Sequence, residues 1–143
     1  MELPWTAAQA AARPLERRIE EIAIQMLSGL LGNLQSRGFD VDGIGVVGSP
    51  DRKLDRIGNP HIRAHAAEGI LFRRVLEVAA MEHKLQWRSF SDRNFEELTF
   101  PQLRKTPGEI NQTLAAIGRA AGRPWRADER AAALAAWVVM RHG

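Results

Sequence analysis

His61 and His65, four residues apart, are half of the chain's four histidines, and with Glu68, three further on, they group side chains able to hold a metal or move a proton. If the segment is helical, a turn of about 100° per residue brings all three within roughly 60° of one another, as one patch one to two turns deep. A His-x-x-x-His pair facing one way suits zinc or another divalent metal, with Glu68, or Asp128 from far along the chain, as a third ligand. On that reading His61, His65, Glu68 and Asp128 would be the catalytic set of a metal-dependent hydrolase. The pattern lacks the glutamate that zinc proteases carry beside the first histidine. The same residues also suit a cleft lining without metal, or a capped helix whose border histidines bond to neighbouring backbone. Residue types alone leave these readings open.

Arginine is the second chemical feature. Seventeen of the twenty basic residues are arginine, the lysines being Lys53, Lys84 and Lys105, and the guanidinium fork suits phosphate and carboxylate. Arg119, Arg123, Arg126 and Arg130 gather around Trp125, a pattern that suits a nucleic-acid backbone with the indole stacked on a base. The competing reading buries Trp125 to pin a linker and leaves the arginines solvated. Acidic residues interleave with the basic ones, so the net charge is only +3 and there is no polyanion-binding tail. With no cysteine, disulfides, thiolate nucleophiles and cysteine-held zinc are excluded, and any metal falls to His, Asp or Glu. Gly48-Ser49-Pro50 lacks both a nucleophile elbow and a phosphate-loop lysine and reads as a turn.

The elements that must position these groups can be read from periodicity. Leu15, Ile19, Ile22, Met26, Leu30 and Leu34 predict an amphipathic helix starting at Pro14 and closed by Gly38. Val41 to Val47 reads as a strand. Asn59 and Pro60 cap and open a second helix running to about His83, with Ala64, Ala67, Leu71, Val75, Val78 and Ala79 inward and Arg63, Arg73, Arg74 and Glu77 outward. Leu85 to Phe90 alternates as a second strand, and a short helix or turn follows to Leu98. Thr106-Pro107-Gly108-Glu109 is a capping-box pattern opening a helix that ends near Gly122, and Asp128 is placed to cap the last helix, to Met140.

The expectation is one domain over residues 1–143, α/β and helix-rich, with a short parallel sheet joined by a βαβ crossover. Two strands make a thin sheet, so a homodimer that joins sheets or packs helices is expected. Apolar runs such as Ala131 to Met140 are too short to span a bilayer, and Met1-Glu2-Leu3-Pro4-Trp5 is unlike a signal peptide. A cytoplasmic location without a membrane partner is therefore expected.

From about Leu15 to His142 the order of elements resembles the latter part of RuvC-type Holliday-junction resolvases, members of the ribonuclease H-like superfamily. Arg63-Ala64-His65-Ala66-Ala67-Glu68-Gly69 stands where they carry a small-residue helix, and Leu85 to Phe90 where they carry the next strand. Asp128-Glu129-Arg130-Ala131-Ala132-Ala133-Leu134-Ala135 is similar to their final Asp-x-x-Asp-Ala-Leu-Ala helix. The resemblance implies a ribonuclease H-like fragment, in which several carboxylates hold two metal ions that clamp a phosphodiester. Most of that set is missing: the opening Asp-x-Gly strand has no counterpart before Pro14, Val46-Val47-Gly48-Ser49 stands where a glutamate should end the central strand, and alanine replaces the second acid of the last helix. The resemblance thus implies a family member that is either degenerate or N-terminally shortened, and the implied function is a catalytically degenerate domain that binds nucleic acid or a protein partner. The alternatives are the histidine-based hydrolase and a ligand-free structural or oligomerisation module. In a ribonuclease H-like arrangement, Asp128 should approach the Gly48 end of its strand.

Overall fold

The structure, a computed structural model, describes residues 4–142. Its elements are α1 (Trp5–Ser36), β1 (Gly43–Gly48), α2 (Pro60–Glu82), β2 (Gln86–Ser91), α3 (Phe95–Thr99), α4 (Pro107–Ala121) and α5 (Ala127–His142), with short 3-10 turns at Leu54–Arg56 and Phe100–Leu103. The chain is thus helix-rich α/β, with one two-stranded sheet whose strands are parallel and joined through α2. Ile44 pairs with Trp87 and Val47 with Phe90. No helix among the described residues is long and apolar enough to cross a membrane.

Glycine in β1 sets the spacing of the layers. Side chains alternate between the two faces of a strand, and the odd-numbered positions face α5. A Cβ on Gly45 would stand 2.9 Å from the carbonyl carbon of Ala135, and one on Gly43 3.1 Å from Val139. The even-numbered face meets α2, where Gly48 lies against the side chain of Arg73. Helices therefore cover both faces, as a parallel sheet requires. The main core lies on the α5 side, where Phe90, Phe95, Leu103, Ile110, Leu114, Leu134, Ala135, Val138 and Val139 form one buried cluster.

The α2 side is thinner. Within α2 the buried residues are Ala66, Val75, Ala79 and Ala80, joined by Val46 from the even-numbered face of β1, and α1, which lies across α2, has none. The expected start of α1 at Pro14 is corrected: the helix begins nine residues earlier at Trp5 and runs through the proline. Pro14 forfeits one backbone hydrogen bond, but the alanines before it and Leu15, Glu16, Arg17 and Arg18 after it are strong helix formers, and the guanidinium of Arg63 over the Trp5 ring, 5.3 Å from its centroid, fixes the helix start. The expected apolar face is corrected as well. Ile19, Ala23, Ile24, Leu27, Leu31 and Leu34 are half-buried, while Leu15, Ile22, Met26 and Leu30 are exposed. Across the α1–α2 seam, His83 Nε2 donates to the carbonyl of Ile24 at 3.0 Å.

Arg73 and Glu77 were expected to face solvent, and the structure overturns this. Their side chains are only 13% and 18% exposed, with Arg73 Nε 3.2 Å from Glu77 Oε1. Polar groups at the sheet draw them inward: Arg73 donates to the Ser49 carbonyl at 3.0 Å and pairs with Asp51, and Ser89 donates to Glu77.

Local capping chemistry sets the helix starts. Asn59 Oδ1 accepts from the amides of His61 and Ile62 at 2.9 and 3.2 Å. The capping box of α4 is complete, Thr106 Oγ1 accepting from the Glu109 amide while Glu109 Oε2 accepts from the Thr106 amide at 2.8 Å. Gly122 ends α4 at φ +80°, a conformation that favours glycine. For α5, Glu129 rather than Asp128 reaches back, accepting from the Arg126 amide at 2.8 Å. The donated hydrogen bonds, first from the Thr106 amide and then from its hydroxyl, hold the Glu109 carboxyl below its ordinary value of 4.5. The Arg126 amide, followed by Glu129's own amide, does the same for Glu129.

A carboxyl with a depressed folded-state pKa stabilises fully above its unfolded value, and that contribution disappears as pH falls through the folded value. Acidification from pH 4.5 downward should therefore lower the amide-exchange protection of the first turns of α4 and α5, measured relative to the intrinsic exchange rate at each pH, and replacing Glu109 and Glu129 with glutamine should remove that pH dependence.

Candidate functional site

The histidine patch assembles only in part. His61 and His65 project from the first two turns of α2, their Nε2 atoms 3.2 Å apart and their rings edge to face at 88°. Glu68 lies 3.5 Å from His65 Nδ1, the nitrogen on the other side of the ring. It therefore backs His65 instead of sharing a ligand position with the two Nε2 atoms. His65 and Glu68 are well exposed, their side chains at 64% and 55%.

The expected metal set of His61, His65 and Glu68 is corrected accordingly: among the described residues no group of three or more His, Asp or Glu is arranged to hold a metal ion. Nor does Asp128 complete a catalytic quartet. Along α2 it is Arg73 that meets Gly48, and His61 lies twelve residues earlier, about 18 Å at the helical rise. No hydrogen bond or ion pair among the described residues joins the patch to Asp128.

Asp128 belongs to a different place. It stands in the first turn of α5 and lines, with Asp92 and Gly48, a groove of about 410 Å³ that runs along β1. Asp92 directly follows β2, and its amide donates to the Gly48 carbonyl at 2.9 Å. Both carboxylates are exposed and take part in no ion pair among the described residues. Sequence reasoning passed over Asp92; its one signal was its position straight after a parallel strand, at the edge where α/β folds bind ligands.

The arginine cluster is split. The indole of Trp125 lies flat against α4 at Gly118, where a Cβ would fall 2.6 Å from its ring atoms, so the ring is half-buried and pins the α4–α5 linker. Arg119, Arg123 and Arg126 are exposed around it and border two open depressions that share Arg123 and Trp125. None of the three is in an ion pair among the described residues. Arg130 is engaged elsewhere, pairing with Glu96 and donating to Asn111 Oδ1 at 2.6 Å, and so braces α5 against α3 and α4. Three exposed cations around one aromatic ring can neutralise phosphates and present a ring edge to a base. Comparison with protein-family models, with curated proteins and with solved structures found no significant match for this chain.

Proposed function

We propose that the chain is a catalytically degenerate ribonuclease H-like domain of the RuvC-like kind that binds nucleic acid through Arg119, Arg123, Arg126 and Trp125. The observation that carries the binding reading is the three guanidinium groups around Trp125 that take part in no ion pair among the described residues. The ribonuclease H-like reading is supported by the parallel β1–α2–β2 order and by Asp128 lining the Gly48 end of the β1 groove. Degeneracy is supported by the two carboxylates left there, Asp92 and Asp128, where a two-metal centre needs more.

The test is binding of fluorescein-labelled single-stranded, duplex and four-way-junction DNA at low salt. The protein should bind at least one of them, and the triple variant Arg119→Ala/Arg123→Ala/Arg126→Ala should bind about tenfold or more weakly with an unchanged melting temperature. Equal affinity of the two proteins sinks the assignment of this face.

A second reading, a homodimer, is favoured by the exposed stripe of Leu15, Ile22, Met26 and Leu30 on α1. These residues fall within about 80° of one another on the helix, as a helix-packing surface requires. Sedimentation at micromolar concentration, with Met26→Glu as the disrupting variant, tests it.

A further inference from the structure

The free edge of β1 is built as a slot for an extended chain. Five consecutive residues, Ile44 to Gly48, line the one groove of about 410 Å³. Neighbouring residues of a strand point to opposite faces, so a concavity touched by all five runs along the backbone edge, not over a face. Its walls come from both layers, Leu76 of α2 on one side and Ala131 and Ala132 of α5 on the other.

The hydrogen-bond phase of the sheet says which groups are open. Gln86 and Asp92 donate to the carbonyls of Asp42 and Gly48, at 2.9 Å each. The even-numbered residues of β1 therefore face β2, and by alternation the amides and carbonyls of Gly43, Gly45 and Val47 point outward into the groove. None of those outward groups has a protein hydrogen-bond partner among the described residues. An edge of this kind is a template for another strand.

We propose that this edge binds, by strand addition, an extended segment of a partner protein that carries apolar side chains toward Leu76 and Ala132 and a basic residue at the Gly48 end. Two features select that occupant. The groove is recessed between helices, so an equally recessed β1 from a second copy cannot reach it, whereas a projecting strand can. At its Gly48 end stand the carboxylates of Asp92 and Asp128, unpaired among the described residues, which complement a cation. An antiparallel strand, the more stable pairing per residue, would bring its N-terminal end to these acids. The face carrying Arg119, Arg123 and Arg126 takes no part.

The probe is a synthetic hexapeptide of alternating valine and threonine with lysine at its free N-terminus, titrated into the full chain while amide exchange is followed residue by residue. Binding should slow exchange at Gly45 and Val47 specifically. A peptide N-methylated at its pairing amides should fail to bind. Asp92→Asn/Asp128→Asn should weaken binding about threefold to tenfold, more at low salt than at high, and Leu76→Ser should weaken it independently of salt. Two results would overturn the proposal: slowed exchange confined to α1 or the arginine face, or Gly45 and Val47 already protected in the protein alone through self-association. Equal binding of the N-methylated peptide would do the same.

Discussion

Gly45→Val should destabilise the protein by about 3 kcal/mol or more, at the upper end of the cost of forcing added carbons into a packed interior. In a chain of this size that lowers the melting temperature by roughly 10 °C. The cause is where the new atoms would go. The first added carbon would meet Ala135 Cβ, carbonyl carbon and carbonyl oxygen at 2.8, 2.9 and 3.0 Å. Two of those three are helix backbone in the middle of α5, flanked by the fully buried Leu134 and Val138, so α5 must lift off the sheet or β1 must bend. Gly29→Ala supplies the control of opposite sign. A Cβ there meets nothing within 4 Å inside α1, so the change should stabilise by about 0.5 kcal/mol through a smaller loss of chain entropy. Thermal unfolding of both variants beside the parent checks the pair.

Arg73→Met should cost about 3 kcal/mol, because it leaves Glu77 beneath the sheet without its cation. Glu77 would retain only the Ser89 hydroxyl as a donor, and Ser49 and Asp51 would lose the group that holds the loop after β1. Removing both charges together should be much milder: in Arg73→Met/Glu77→Leu most of the loss should return, since no uncompensated charge is left. Denaturant unfolding of the two single variants and the double closes the cycle. A double variant no more stable than Arg73→Met would show that the loop anchor, not the ion pair, matters. Amide exchange near Ser49 should rise in both variants that lack Arg73.

How far the sequence led depended on whether the deciding physics was local. Asn59 with Pro60, and Thr106 with Glu109, fix helix starts through contacts three residues long, so both were legible. So was the strand–helix–strand order, because β1 and β2 are bounded by glycine, proline and polar turns. Pro14 misled because proline inside a helix is the rarer case, and the true start depends on Trp5 meeting Arg63, a contact between distant residues. Arg73 and Glu77 misled because periodicity assigns charge to solvent, and nothing nearby in sequence reveals the Ser49 carbonyl and Ser89 hydroxyl that draw them inward. The histidine patch was correctly gathered on one face, but the ring edge that Glu68 approaches is a matter of rotamers. At the start of α5, Asp128 and Glu129 are adjacent acids, and only the helix's entry angle decides which one caps.

The salt dependence of DNA binding tests the central claim most directly. Each phosphate contact on single-stranded DNA contributes about 0.7 to the steepness of log Kobs against log salt concentration. The protein and the variant lacking Arg119, Arg123 and Arg126 should therefore differ in slope by about 2, with the variant shallower. Parallel lines, or no binding by the protein even at the lowest salt, would contradict the account.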